Sequence, residues 1–169
     1  MILGMSAQAF TLLHVAISLI GILSGLVVLA AMIGGRNLAA TTGLFLAATV
    51  LTSATGFLFH SAKIGPPHIV GVISLLVLAA SLVALYARRL AGVWRPIYIV
   101  TAVIALYLNV FVGVVQAFGK IGFLKALAPT GSEPSFAVAQ GLVLILFVVL
   151  GYLAVKRFRP AAPTDAVAA

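Results

Sequence analysis

The chain contains no cysteine. That rules out disulfides, thiolate metal centres and iron–sulfur clusters held by Cys. Carboxylates are nearly as scarce, with two acids in 169 residues. Asp165 falls in the C-terminal tail, so Glu133 is the sole acid in the body of the chain. A proton-coupled pump built on intramembrane Asp or Glu has nothing to run on, and a Ser–His–Asp triad lacks the group that orients its base. No Walker motif, HExxH or nucleophile elbow is present. No internal repeat supports a secondary transporter, and five spans do not divide into equal halves.

Charged residues make up 7% of the chain and hydrophobic residues 64%, against ~25% and ~45–50% in a typical soluble domain. Twelve charged side chains cannot cover the surface of a soluble fold this apolar. A bilayer removes the difficulty, because lipid solvates the outward faces. The expected fold is therefore an all-α integral membrane protein, a single bundle of about five transmembrane helices over residues 1–159, followed by a disordered Ala- and Pro-rich tail over 160–169.

Five segments reach the ~20 residues that a ~30 Å hydrocarbon core requires. They fall near 9–34, 38–60, 67–87, 97–119 and 135–155. Gly34-Gly35-Arg36-Asn37, the Lys63 to Pro67 stretch, the Arg88 to Pro96 stretch and Pro129 to Pro134 separate them. The first lacks a basic leader and is too long for the apolar region of a signal peptide, so it reads as a retained span. Residues 119–134 are open. Ile121, Phe123, Leu124 and Leu127 alternate with Lys120 and Lys125, which suits either an extension of the fourth helix or a short amphipathic helix at the interface.

The net charge of +8 sits at the ends of the apolar segments, not on one clustered face. Nucleic acid is therefore not an expected partner; the lipid bilayer is. Arg36, Arg88, Arg89, Arg95, Lys156, Arg157 and Arg159 fall on one side of the alternating spans, and Lys63, Lys120 and Lys125 on the other. Seven against three makes the first side cytoplasmic. The N-terminus is then outside and the C-terminus cytoplasmic. The Ala-, Gly- and Val-rich usage suits a bacterial inner membrane, whose outside is the periplasm. Tyr86, Trp94, Tyr98 and Tyr152 fall where an interfacial aromatic belt is expected.

Topology then brings His14, His60 and His68 to one depth near the outer surface. Each lies on a stripe of small or hydroxylated residues spaced three and four apart, the pattern of a close helix contact. These stripes are Thr11–His14–Ser18–Gly21–Gly25, Thr49–Thr52/Ser53–Gly56–His60, and His68–Gly71–Ser74–Leu78–Ser81. The fourth span adds Thr101, Ala105, Asn109, Gly113, Gln116 and Lys120, and the fifth adds Gln140. Gln116 and Gln140 are candidates to pair. Glu133, Lys63 and Lys120 form a candidate rim.

Neutral imidazole ligates haem iron, copper or zinc. The candidate metal ligands are His14, His60 and His68. The wider candidate cofactor site adds Asn109, Gln116, Gln140, Lys63 and Lys120. Two histidines could sandwich a b-type haem with Lys63 and Lys120 on its propionates, or a histidine and an amide could bind a quinone. The leading expectation is a small, redox-type membrane cofactor protein, with whether it is an enzyme left open. The alternatives are an accessory subunit of a larger membrane complex and an oligomeric channel or carrier with Asn109 on its path.

Overall fold

The computed structural model describes residues 2, 4–59 and 65–159. His60, Lys63 and the 160–169 tail lie outside the described residues. Among the described residues the chain is all-helical, with no named strand. In order come α1 (Ala7–Ile33), α2 (Ala39–Gly56), α3 (Pro66–Leu82, continued by one π-helical turn over Val83–Ala87), α4 (Trp94–Lys120), α5 (Gly122–Leu127) and α6 (Pro134–Arg157). Five helical stretches are long and apolar enough to cross a membrane: α1, α2, α3 with its π turn, α4 and α6. Their limits agree closely with the sequence reading, except that α2 gives way to a turn at Phe57 instead of running to 60.

Local chemistry sets these boundaries. The Ser6 hydroxyl accepts the Ala9 N–H at 3.2 Å and caps α1. At its other end Arg36 N–H bonds the Ala31 carbonyl and Gly35 N–H bonds that of Met32. Gly35 takes φ +71° there, so this is a Schellman stop that needs glycine at the left-handed position. Pro66 and Pro67 occupy the first turn of α3, and Pro134 opens α6, positions where a missing N–H costs nothing. Between α4 and α5 the chain breaks at Ile121, whose backbone is extended (ψ 117°). Residues 122–127 therefore form a separate short helix and not a continuation of α4.

α1 packs along α2, α2 against α3, α3 against α4, α4 against α6, and α6 back against α1. α4 also reaches α1 and α2, which makes it the hub. The contacts fix an up-and-down arrangement. At one end, Arg95 of α4 donates to the Val155 and Phe158 carbonyls at the close of α6, and Arg157 passes beside Gly35. At the other, Phe118 of α4 meets Phe136 of α6 with ring centroids 5.4 Å apart, and His14 of α1 meets Thr55 of α2. These are called here the arginine end and the histidine end.

The core lies toward the arginine end. Val28, Leu29 and Met32 of α1 meet Phe45 and Leu46 of α2, Leu78 and Ala84 of the third span, Tyr98, Ile99, Ala102, Val103, Ala105 and Leu106 of α4, and Phe147, Ala154 and Phe158 of the last segment. Gly25 makes the tightest crossing. A Cβ there would come within 2.6 Å of Leu106 and 2.8 Å of Phe45, so the expected Gly21–Gly25 pair does sit in a helix interface. Tyr98 departs from the expected aromatic belt. It is 1% exposed, beside Phe158, because its position on α4 faces the bundle. Tyr86 and Tyr152 are exposed, as a belt requires.

Candidate functional site

His14 stands in the second turn of α1 with its ring turned toward α2. Its Nδ1 lies 2.8 Å from the Thr55 hydroxyl oxygen. The same hydroxyl lies 2.7 Å from the Leu51 carbonyl and 3.2 Å from that of Thr52, a back-contact common for threonines in helices. The contact pairs α1 with α2 through one proton, carried either by the hydroxyl or by Nδ1 according to the tautomer of the ring. The edge of the ring rests on Phe59 (centroids 5.1 Å apart, planes at 87°), and Phe59 rests in turn on Phe10 at 5.0 Å.

His68 is held by a backbone donor. Gly65 cannot cap α3 with a side chain, and its backbone N–H donates to His68 Nδ1 at 3.2 Å. The proton of the neutral ring is then on Nε2. The ring faces Phe57, centroids 6.0 Å apart. It borders a shallow apolar groove of about 380 Å³ completed by Phe57, Ile69, Val72 and Ile73. The turn that follows α2 thus joins the two rings, with Phe59 on His14 and Phe57 on His68.

Other expected site residues lie apart from this pair. Asn109 Nδ2 donates to Thr49 Oγ1 at 3.3 Å, between α4 and α2, opposite Gly21. It therefore acts as an interhelical tie deeper in the bundle. Gln140 donates to the Phe111 carbonyl at 3.1 Å, not to Gln116, and its Oε1 is buried with no donor among the described residues. Gln116 and Lys120 are exposed, because beyond Asn109 the buried side of α4 turns toward Phe118 and its contact with α6. Glu133 faces its own loop, accepting from Thr130 N–H at 2.9 Å, the Thr130 hydroxyl at 2.9 Å and Ser132 N–H at 3.0 Å. The Thr130 backbone N–H is the chief reason that its carboxyl is held below the usual range.

Among the described residues no group of three or more His, Cys, Asp and Glu side chains could hold a metal ion; His60, the third expected ligand, lies outside them. Sequence reasoning missed Thr55, Phe59 and Phe10. The stripe drawn back from His60 passes through Gly56 and skips Thr55, one residue away, and only the crossing of α1 with α2 selects it. Compared with known proteins, the chain matches no family model, no curated protein and no solved structure.

Proposed function

We propose that this is a small integral membrane protein that crosses the bilayer five times and binds a redox cofactor at its histidine end, with His14 as the principal protein ligand. The excess of arginine at the opposite end supports a cytoplasmic placement there, which puts His14 on the outer side, periplasmic if the membrane is a bacterial inner membrane. α5, with Phe123 and Leu127 exposed beside Lys120 and Lys125, suits a helix lying in the outer interface.

One observation carries this reading. The Leu51 carbonyl, the Thr55 hydroxyl and His14 Nδ1 form a chain that orients the ring through one of its two nitrogens. Binding histidines are commonly oriented by a hydrogen bond between one ring nitrogen and a protein oxygen, leaving the other for the ligand. Haem iron, a copper or zinc ion, and a quinone in one of its redox states are the chemistries such a nitrogen serves.

The experiment is an absorption spectrum, a metal determination and a quinone extraction on the detergent-purified protein. Wild type should carry a Soret band, a stoichiometric metal or an extractable quinone. His14→Ala should lose it while keeping its thermal midpoint. A wild-type protein that is colourless, metal-free and quinone-free would remove the proposal.

A further inference from the structure

We propose that the cleft between the end of α4, α5 and the start of α6 binds the phosphate headgroup of an anionic phospholipid, with Lys125 as its counter-cation. The cleft shares no lining residue with the His14 contact. The proposal rests only on the membrane placement of the bundle, not on a cofactor at His14.

The cleft follows from the break at Ile121. The extended backbone there ends α4 and starts α5 on a new course, and the chain returns through residues 128–131 to α6. A space of about 390 Å³ remains between these segments. Sites for small molecules span ~300–1,000 Å³, so the space suits a headgroup and not a whole lipid. Val115, Phe118 and Phe136 form its apolar wall, the two rings lying edge to face with centroids 5.4 Å apart. Gly119 also lines it, and a Cβ there would meet nothing within 4 Å.

Charge selects the occupant. Lys125 lines the cleft and forms no ion pair among the described residues. Glu133 does not line the cleft, and its oxygens accept from Thr130 and Ser132 of its own loop. An ammonium beside an apolar wall, with no carboxylate to neutralise it, matches an anion that carries hydrocarbon, and a lysine serves phosphate as a point charge. Lys120, the residue after Gly119, adds a second exposed cation. Two cations favour a net anionic head over a zwitterionic one.

Position selects the source. The cleft sits where two helices of membrane length end, α4 at its close and α6 at its start, which is headgroup depth. Its wall continues outward, since Val115 is 39% exposed, so the acyl chains of a bound lipid stay in the bilayer.

The test titrates the full chain, in a nonionic detergent, with dihexanoyl phosphatidylglycerol. The readout is the amide shifts of Gly119 and Gly131, which line the cleft, so lipid gathered by the arginines at the other end does not count. Phosphatidylglycerol should shift both amides and bind about tenfold more tightly than phosphatidylcholine of the same chain length, the effect of one charge-assisted contact. Lys125→Gln should erase that difference, and Lys156→Gln at the arginine end should keep it. Gly119→Leu, whose side chain enters the open space, should abolish the Gly131 response while keeping the thermal midpoint. Equal affinity for the two lipids, or an unchanged titration in Lys125→Gln, would overturn the inference. Inorganic phosphate or hexanoate binding as tightly would overturn it too, by making the occupant a free anion or a free fatty acid. A chain that alkaline carbonate strips from membranes would sink the membrane reading along with the site. An integral protein without the lipid preference would sink the site alone.

Discussion

The two ends of the bundle are built differently. At the arginine end, Ala84, Tyr98, Ile99, Ala105, Ala154 and Phe158 are at most 2% exposed, and the Arg95 guanidinium closes the last turn of α6. At the histidine end, His14, Thr55 and His68 are all partly exposed. The polar groups there bond in pairs across helices or back to their own loop. Small residues and large apolar ones interlock at the first end and fix the helices. The second end keeps oriented polar groups that are not sealed, which is what a binding surface needs and a packing core avoids.

The largest effect expected from breaking this contrast is at Gly25. In Gly25→Leu the Cβ alone meets Leu106 and Phe45 at 2.6–2.8 Å. Overpacking of this kind costs ~1–3 kcal/mol or more, and a large drop in thermal midpoint should follow. Gly119→Ala near the histidine end, where nothing lies within 4 Å of the new methyl, should barely move it. Equal effects at the two sites would erase the distinction between a closed and an open end.

A smaller effect is expected at Arg95. Arg95→Met removes the donor from the Val155 and Phe158 carbonyls, a charge-assisted contact of ~1.5–3 kcal/mol. Hydrogen exchange should rise at the end of α6 and remain unchanged around His14. A rise at both ends would show the bundle opening as one unit.

The smallest effect is a pH response in the Thr130–Glu133 loop. The Glu133 carboxyl is lowered from its ordinary value of 4.5 by bonds that need it ionised. Its hold on the loop is therefore complete above pH 4.5 and fades as pH falls through the lower, folded value. Thr130 and Ser132 amide shifts should follow that transition and lose it in Glu133→Gln. A midpoint above 4.5 would contradict the bonding described.

Much of the fold was legible in the residues. Five apolar runs, the Gly34-Gly35 stop and the prolines at 66–67 and 134 locate the helices to within a few residues, because length and capping are local properties. The faces of α1 and α3 were legible as well: Gly21, Gly25, Ser74, Leu78 and Ser81 are buried. The outer half of α4 was not. Gly113, Gln116 and Lys120 continue the Asn109 stripe in sequence, yet they are exposed, since α4 changes partner toward α6 beyond Asn109. Gln116 and Gln140 are a plausible pair by depth, but the Phe111 carbonyl was nearer to Gln140.

By itself the sequence determined a helical chain with five membrane-length apolar segments, and a separation of arginine from histidine between their alternate ends. Hydrophobic run length and helix-stop residues act within a few turns, so they need no tertiary partner. Only the tertiary structure decided that the Thr55 hydroxyl meets His14 Nδ1 and that the Gly65 N–H occupies His68 Nδ1. A ring nitrogen's partner is whichever polar group lies within hydrogen-bond reach, and for His14 that group comes from another helix, 41 residues along the chain.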